Sequence, residues 1–531
     1  MSWSWKLRTA VLVFVLLFPY NGLRTQAQVD GGADCGAFLQ PPDTSGGVRV
    51  LSCSPESPSA NHAWSKFFIG LDSHLPNASP FAPSGTVKRI RVAVHVWGNG
   101  TLGSNYTDNQ ASLDSIAKVL SNIDRDFWTN VTYPSDPSLF YENITGLSPL
   151  DPTANWYQFY SDTRLRMDVV GIYFYNDTTM WGKTCYESDR IILNAAAAAA
   201  HPECLTALNI HIVQNVCCLG TGAATHPQME LTSSTWNGSS GVTSCSLTDP
   251  ATGIFTQANV VFYTTHWAHE LGHTMQLFHT YESGPLGTEA TNSQPPGYTV
   301  KEYLGDIFGR APLDAIPQTW CTTSAFPIVC TLYPFGSCPP SLDPNDGCTN
   351  NVMGNNEIAR FTSPLQMARM HRALMLSGTG RYAWGYDPVP YTIDPYSILV
   401  YDLMWTLDFQ VKMYQDLHIS AGSVLVVKCI LEFVPQSRLV IEPGGKLIID
   451  GGVVRAAEYA TERWRGIEVW GNADQDRSID PDWNTAFANT DLYSHQGAIE
   501  IKNGGRIENA EIGVLLGSRD APGKGGGVFK A

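Results

Sequence analysis

The chain has 531 residues, with 49 Asp and Glu against 33 Lys and Arg, a net charge of -16 and only 15% charged residues. That length exceeds one ordinary core and predicts two or three domains, while the acidic balance, with no clusters of Lys and Arg to meet phosphates, argues against a nucleic-acid partner. Beyond the N-terminus no stretch is apolar for the roughly eighteen residues a membrane span needs.

The first segment reads as a secretory signal peptide, residues 1–27. Lys6 and Arg8 precede the apolar run Ala10 to Phe18, which is too short to cross a bilayer, and Thr25-Gln26-Ala27 offers a small-residue cleavage site. A secreted, extracellular protein follows from it. All 12 Cys lie after Ala27, so disulfides are the expectation for most of them, with the pairing left open. Asn-x-Ser/Thr sequons at Asn77, Asn99, Asn105, Asn130, Asn143, Asn176 and Asn237 mark surface loops in any host that glycosylates.

Residues 28–85 are rich in Pro, Gly and Ser and read as a leader or pro-segment. Cys35 and Cys53 there pair in a plain disulfide or, alternatively, supply a thiolate that holds a zinc site latent. From Lys88 to Val96 the alternation of Ile90, Val92, Val94 and Val96 predicts a strand. Leu113, Ile116, Val119, Leu120, Ile123 and Phe127 then fall at helical spacing. Leu165 to Tyr175 and Leu208 to Val213 read as further strands, separated by a helix around Ala195 to Ala200.

Asn259 to Tyr263 leads into the stretch that carries chemistry, His269-Glu270-Leu271-Gly272-His273, which continues to His279. On a helix His269 and His273 lie four residues apart on one face, so two imidazoles reach one tetrahedral metal. Glu270 beside them is placed to take a proton from an activated water. His279 supplies a third nitrogen if the chain turns back after Gln276, giving the three-ligand, open arrangement of a catalytic zinc (Zn2+) site. His266, one turn earlier, reads as a packed or surface histidine outside that set.

After His279 regular signals fade for some seventy residues, and Cys321, Cys330, Cys338 and Cys348 crowd a Pro- and Gly-rich segment. Two bridges there stiffen a long loop forming one wall of a cleft; a second metal site is the alternative. Pro364 to Ser377 is an amphipathic helix. From about Asp416 the corner Ile419-Ser420-Ala421-Gly422 returns as Ile441-Glu442-Pro443-Gly444, and Val424 to Val427 returns as Lys446 to Ile449. A repeat of about 22 residues with β-branched triplets and Gly corners predicts coils of a parallel β-helix, with a small β-sandwich as the alternative.

The zinc sequence His269 to His279 with Met353 downstream resembles the metzincin metallopeptidases and, among them, the pappalysin-like group. Ile90 to Val96, Asp124 to Phe127, Asp162 to Arg164, Leu208 to Ile210, His279 to Tyr281 and Phe361 to Met370 share the likeness, which spans about Thr86 to Ser377. The C-terminal third separately resembles β-helix modules of secreted bacterial proteins. The resemblance implies a multidomain chain: an α+β catalytic domain with an α/β-type upper sheet over 86–378, a linker over 379–415, and an all-β, right-handed parallel β-helix over 416–531. The two modules are expected to meet only through the linker.

The likeness also implies endoproteolysis of a protein or peptide substrate, with His269, His273 and His279 as zinc ligands, Glu270 as general base and Met353 as the apolar floor beneath the metal. Gly222, Ala223 and Ala224 resemble the upper-rim strand that pairs with an extended substrate. Three departures stand out. Gln276 replaces the usual Gly, Asn355 replaces a Tyr that assists on the oxyanion side, and Arg310-Ala311-Pro312 replaces Asp-Thr-Pro, which leaves a calcium (Ca2+) site in that loop open. The rival reading from these departures is an adhesin, whose β-helix binds a glycan or surface ligand beside a degenerate, inactive peptidase domain.

Overall fold

A computed structural model describes residues 74, 87–100, 106–128, 162–183, 187–213, 222–224, 241–245, 257–277, 318–322, 329–333, 352–353, 362, 364–376, 378–393, 404–472, 474 and 495–531. The signal sequence, the leader apart from His74, His279, Arg310 to Pro312 and Asn355 lie outside the described residues.

A mixed α/β part comes first. Strand β1 (Lys88–Gly98) has both faces covered, as its run of Val and Ala requires. It pairs in parallel with β2 (Leu165–Asn176) on one side and β3 (Leu208–Val213) on the other. Beyond β3 lie β4 (Gly222–Ala224) and β5 (Gly241–Cys245), in the sheet order β2-β1-β3-β5-β4, with β4 the antiparallel edge strand.

Helix α1 (Gln110–Ile123) starts where the Asn109 side chain accepts from the Ser112 N–H at 2.9 Å, and it buries Ile116, Val119, Leu120 and Ile123. Helix α2 (Glu187–Ala200) carries the alanine run, and α3 (Gln257–Thr274) packs against α1, β4 and β5. The segment expected to be irregular contains a hairpin, β6 (Gln318–Thr322) and β7 (Val329–Tyr333), whose register sets Cys321 opposite Cys330. Helix α4 (Pro364–Leu376) follows. Cys204 is buried and free, contrary to a disulfide there, whereas Cys429 is disulfide-bonded.

The described residues of the stretch 379–415 are built mostly into sheets and do not form a linker. A 3-10 turn, Gly378–Tyr382, runs into β8 (Ala383–Trp384), which pairs with β1. Strand β9 (Asp387–Ile393) is already the first rung of the C-terminal stack, followed by β10 (Met404–Leu407) and β11 (Val411–Met413). After β12 (Gln415–Ile419) the chain cycles through β13 (Val424–Val427), β14 (Ile430–Phe433) and β15 (Arg438–Ile441), then β16 (Lys446–Asp450), β17 (Val453–Ala456) and β18 (Trp464–Val469). It closes with β19 (Ala498–Lys502), β20 (Arg506–Glu508), β21 (Ala510–Leu515) and β22 (Val528–Lys530).

Every third strand shares a sheet, giving three parallel sheets in the orders β10-β13-β16-β19-β22, β11-β14-β17-β20 and β21-β18-β15-β12-β9. The repeat exists because in-register pairing stacks like on like. Leu417 meets Leu439 and then Ile467, and Trp405 meets Leu425, Leu447 and Ile499. Glycine is required at the corner, where Gly444 has φ +84 and a Cβ on Gly445 would lie 2.4 Å from the Ile419 carbonyl oxygen of the coil before. Phe433 stacks on the fully buried Trp464 at 4.7 Å, worth about 0.5–1.5 kcal/mol beyond its buried area.

All the described residues fall in one unit, Leu51–Ala531. Its first core runs without a break from Val94 and Leu271 through Met353 and Leu374 to Tyr414 and Val434 of the coils. Met375 and Leu376, ending α4, belong to the interior of the coils. The modules therefore share buried surface, against the expectation of contact through a tether alone.

Candidate metal centre

Helix α3 sets His269 and His273 one turn apart, their ring centroids 4.8 Å from each other and the planes at 86°. His269 Nδ1 lies 2.8 Å from the Val352 carbonyl oxygen and His273 Nδ1 lies 2.7 Å from that of Leu277. A carbonyl oxygen only accepts, so each Nδ1 carries the proton and each Nε2 is the lone-pair nitrogen. Rings oriented in this way suit a divalent metal, because the backbone contact fixes both tautomer and direction.

Val352 stands beside Met353, which has no solvent exposure and fills space under the helix. A Cβ on Gly272 would lie 2.6 Å from Met353 Sδ, so a side chain here would push the thioether aside. Met353 thus sits against the turn that joins the two histidines. Among the described residues no group of three or more His, Cys, Asp or Glu converges, so the described nitrogen donors are the two imidazoles of His269 and His273.

Glu270 is 6% exposed, and burial pushes its carboxyl up to about 8 against the opposing pull of Arg190 on α2. His266 Nε2 lies 3.9 Å from Glu270 Oε1, and burial, with His269 nearby, lowers this imidazole to about 3. His266 therefore faces the Glu270 carboxyl as a neutral ring. Its i,i+4 spacing from Glu270 was a readable signal for that pairing; Arg190, eighty residues away, had none.

The end of α3 shows how the chain tolerates Gln276. The Leu277 N–H reaches the Gly272 carbonyl and the Gln276 N–H that of His273, each at 3.0 Å, with Gln276 itself at φ +71. This is a Schellman closure with glutamine at the left-handed position, a strain of roughly 1–2 kcal/mol for a residue with a Cβ. The turn survives the departure. Gly222, Ala223 and Ala224 form β4, the sheet edge that packs against α3.

No family model matches the chain. No curated protein matches it either. Among solved structures it is similar to mature mirolysin of Tannerella forsythia in complex with a cleaved peptide, at 16% identity over 54% of this chain and 91% of that one, with a TM-score of 0.30. Mirolysin in complex with compound 9 gives 17% identity, the same coverage and the same TM-score of 0.30.

Proposed function

We propose that the chain is a secreted zinc endopeptidase of pappalysin-like, metzincin type, carrying a parallel β-helix as its C-terminal module. The observation that carries the reading is the pair His269 and His273, each donating Nδ1–H to a backbone carbonyl, on the helical turn that also holds Glu270 and rests on Met353. Their Nε2 atoms, with a ring nitrogen of His279, are the proposed ligands of zinc. A bound zinc ion supplies Lewis acidity, polarising the scissile carbonyl and acidifying water. With its carboxyl ionised beside a bound cation, Glu270 would take the proton of the attacking water and pass it to the leaving amine. The edge strand Gly222 to Ala224 offers backbone groups for an extended peptide, and Asn355 is the residue proposed for the oxyanion side.

Zinc stoichiometry and casein hydrolysis, measured on wild type and Glu270→Ala, test the reading. The variant keeps its zinc and loses at least ~10²-fold in turnover. Hydrolysis within threefold of wild type would sink the assignment.

A further inference from the structure

The carbonyls that end α3 are met one by one, and two of the donors come from outside the helix. The Gly272 and His273 carbonyls receive the backbone N–H groups of the closure itself, and Thr274 Oγ1 donates to the Leu271 carbonyl at 2.7 Å. The Thr274 carbonyl accepts from Thr379 Oγ1 at 2.7 Å, and the Gln276 carbonyl accepts from Arg369 Nε. Thr379 lies in the 3-10 turn after α4, Arg369 lies on α4, and both are fully or almost fully buried. The residue they flank, Gln276, is a non-glycine at positive φ. Leu277 follows directly, and its carbonyl holds His273 Nδ1.

We propose that Thr379 and Arg369 are positioning residues for the metal site. They hold Gln276 in a conformation that glycine adopts unaided, and so keep the Leu277 carbonyl where it orients the His273 ring. The inference rests on the reading of His269 and His273 as metal ligands. A merely structural role for the two side chains makes a different statement: their hydrogen bonds then contribute the same amount whichever residue occupies position 276.

The test is a double-mutant cycle on the full chain with Gln276→Gly, Thr379→Val, Arg369→Met and the paired variants. Zinc affinity is read by competition with a chromophoric chelator, and the thermal midpoint is read on zinc-free protein. Thr379→Val weakens zinc about tenfold with Gln at 276 and less than about threefold with Gly there, and the zinc-free midpoints show the same non-additivity. Thr379→Val removes a hydroxyl at nearly constant volume, so it carries the test if Arg369→Met does not fold. Equal losses in the two backgrounds, or no loss with Gln276 present, overturn the proposal. If wild type binds no zinc the metal reading falls by itself, while the zinc-free cycle still decides whether positions 276 and 379 are coupled.

Discussion

Lys88 on β1 donates from Nζ to His371 Nδ1 on α4 at 2.9 Å, and neither side chain has any solvent exposure. His371 Nε2 lies 2.6 Å from the Thr163 carbonyl oxygen, so the imidazole is neutral with its proton on Nε2. From the coil side Lys88 lies 4.8 Å from the centre of the Tyr414 ring and Lys412 lies 5.2 Å from it. The Tyr414 hydroxyl donates to the Leu374 carbonyl at 2.9 Å, and Lys412 Nζ donates to the carbonyls of Gly380 and Ala383 at 2.7 and 2.6 Å. Two buried ammonium groups thus bracket one aromatic ring where the sheet, α4 and the first coil meet.

Burial, with Lys412 nearby, lowers Lys88 to about 7, and burial lowers Lys412 to about 8 against the opposing pull of Glu432 and Glu458. In the unfolded chain a lysine titrates at about 10.4. Between about pH 7 and 10 the unfolded state therefore binds more protons at these two lysines than the folded one, and their contribution to stability rises with pH. Above that window Tyr414, raised by burial, holds its proton only when folded, and the trend reverses. Urea midpoints at pH 7, 8 and 9 should climb in wild type and climb less in Lys88→Met. An unchanged slope in the variant would show that Lys88 is not the titrating group.

Truncation after residue 377 should not leave an independent domain. It would expose Met375 and Leu376, which the coils bury, and strip Lys88 of the Tyr414 ring. Uncovering a Met and a Leu alone costs about 1.5–3 kcal/mol each, a large share of the stability of an ordinary domain. The expected result is loss of a cooperative melt in the truncated chain. In the full chain, Lys412→Met should lower the thermal midpoint by leaving two buried carbonyls without their donor. A sharp transition for the truncated protein, near that of the full chain, would refute the shared core.

A second buried pair contributes on the acid side. His95 and His211 stack with centroids 4.9 Å apart. His95 Nε2 donates to Asn209 Oδ1 and Nδ1 accepts from the Tyr175 hydroxyl, both at 2.9 Å. Trp97 Nε1 donates to His211 Nδ1 at 3.1 Å, and His211 Nε2 donates to Asn194 Oδ1 at 2.8 Å. Burial lowers His95 to about 4 and takes His211 well below its ordinary range. As pH falls from about 6.5 the unfolded chain binds these protons first, so the stability this pair contributes declines down to about pH 4. The drop in urea midpoint between pH 7 and 5 should be smaller in His95→Gln than in wild type, although His95→Gln is the less stable protein at pH 7. A drop of equal size would place the acid sensitivity elsewhere.

What the sequence discloses is what local pattern encodes. Ile90 to Val96 and Leu208 to Val213 alternate or run apolar because their neighbours cover them, and the 22-residue repeat is visible because stacked coils place Leu417 on Leu439 and Ile419 on Ile441. Strand β9 was hidden by Pro388 and Pro390, which normally argue against a strand; as the outermost strand of its sheet, β9 has one edge where a missing N–H costs no ladder bond. The contacts of Lys88 with His371 and of Arg369 with Gln276 join residues far apart in the chain, and no periodicity announces them. The departure at Gln276 was legible, but its support by Thr379 was not. At the proposed metal site the two histidines and Glu270 stood out by spacing alone, while the carbonyls that orient the rings belong to Val352 and Leu277 and carry no side-chain signature.

The glycine between those histidines gives the last prediction. In an open helix Gly272→Ala would add up to about 1 kcal/mol of stability by reducing backbone freedom. Here the new Cβ would stand 2.6 Å from Met353 Sδ and 3.3 Å from Leu277 Cδ1, in a region with no solvent exposure at either residue. Overpacking of this kind costs about 1–3 kcal/mol and exceeds the propensity gain. The two residues pushed are Met353, adjacent to the Val352 carbonyl that holds His269, and Leu277, whose own carbonyl holds His273. Gly272→Ala should therefore lower both the thermal midpoint and the zinc affinity. Met353→Ala in the same chain removes the obstructing thioether, so the double variant should lose less than the two single losses combined. A Gly272→Ala protein that melts at or above the wild-type midpoint would mean that helix propensity outweighs the clash, and that Met353 yields to the helix instead of bracing it.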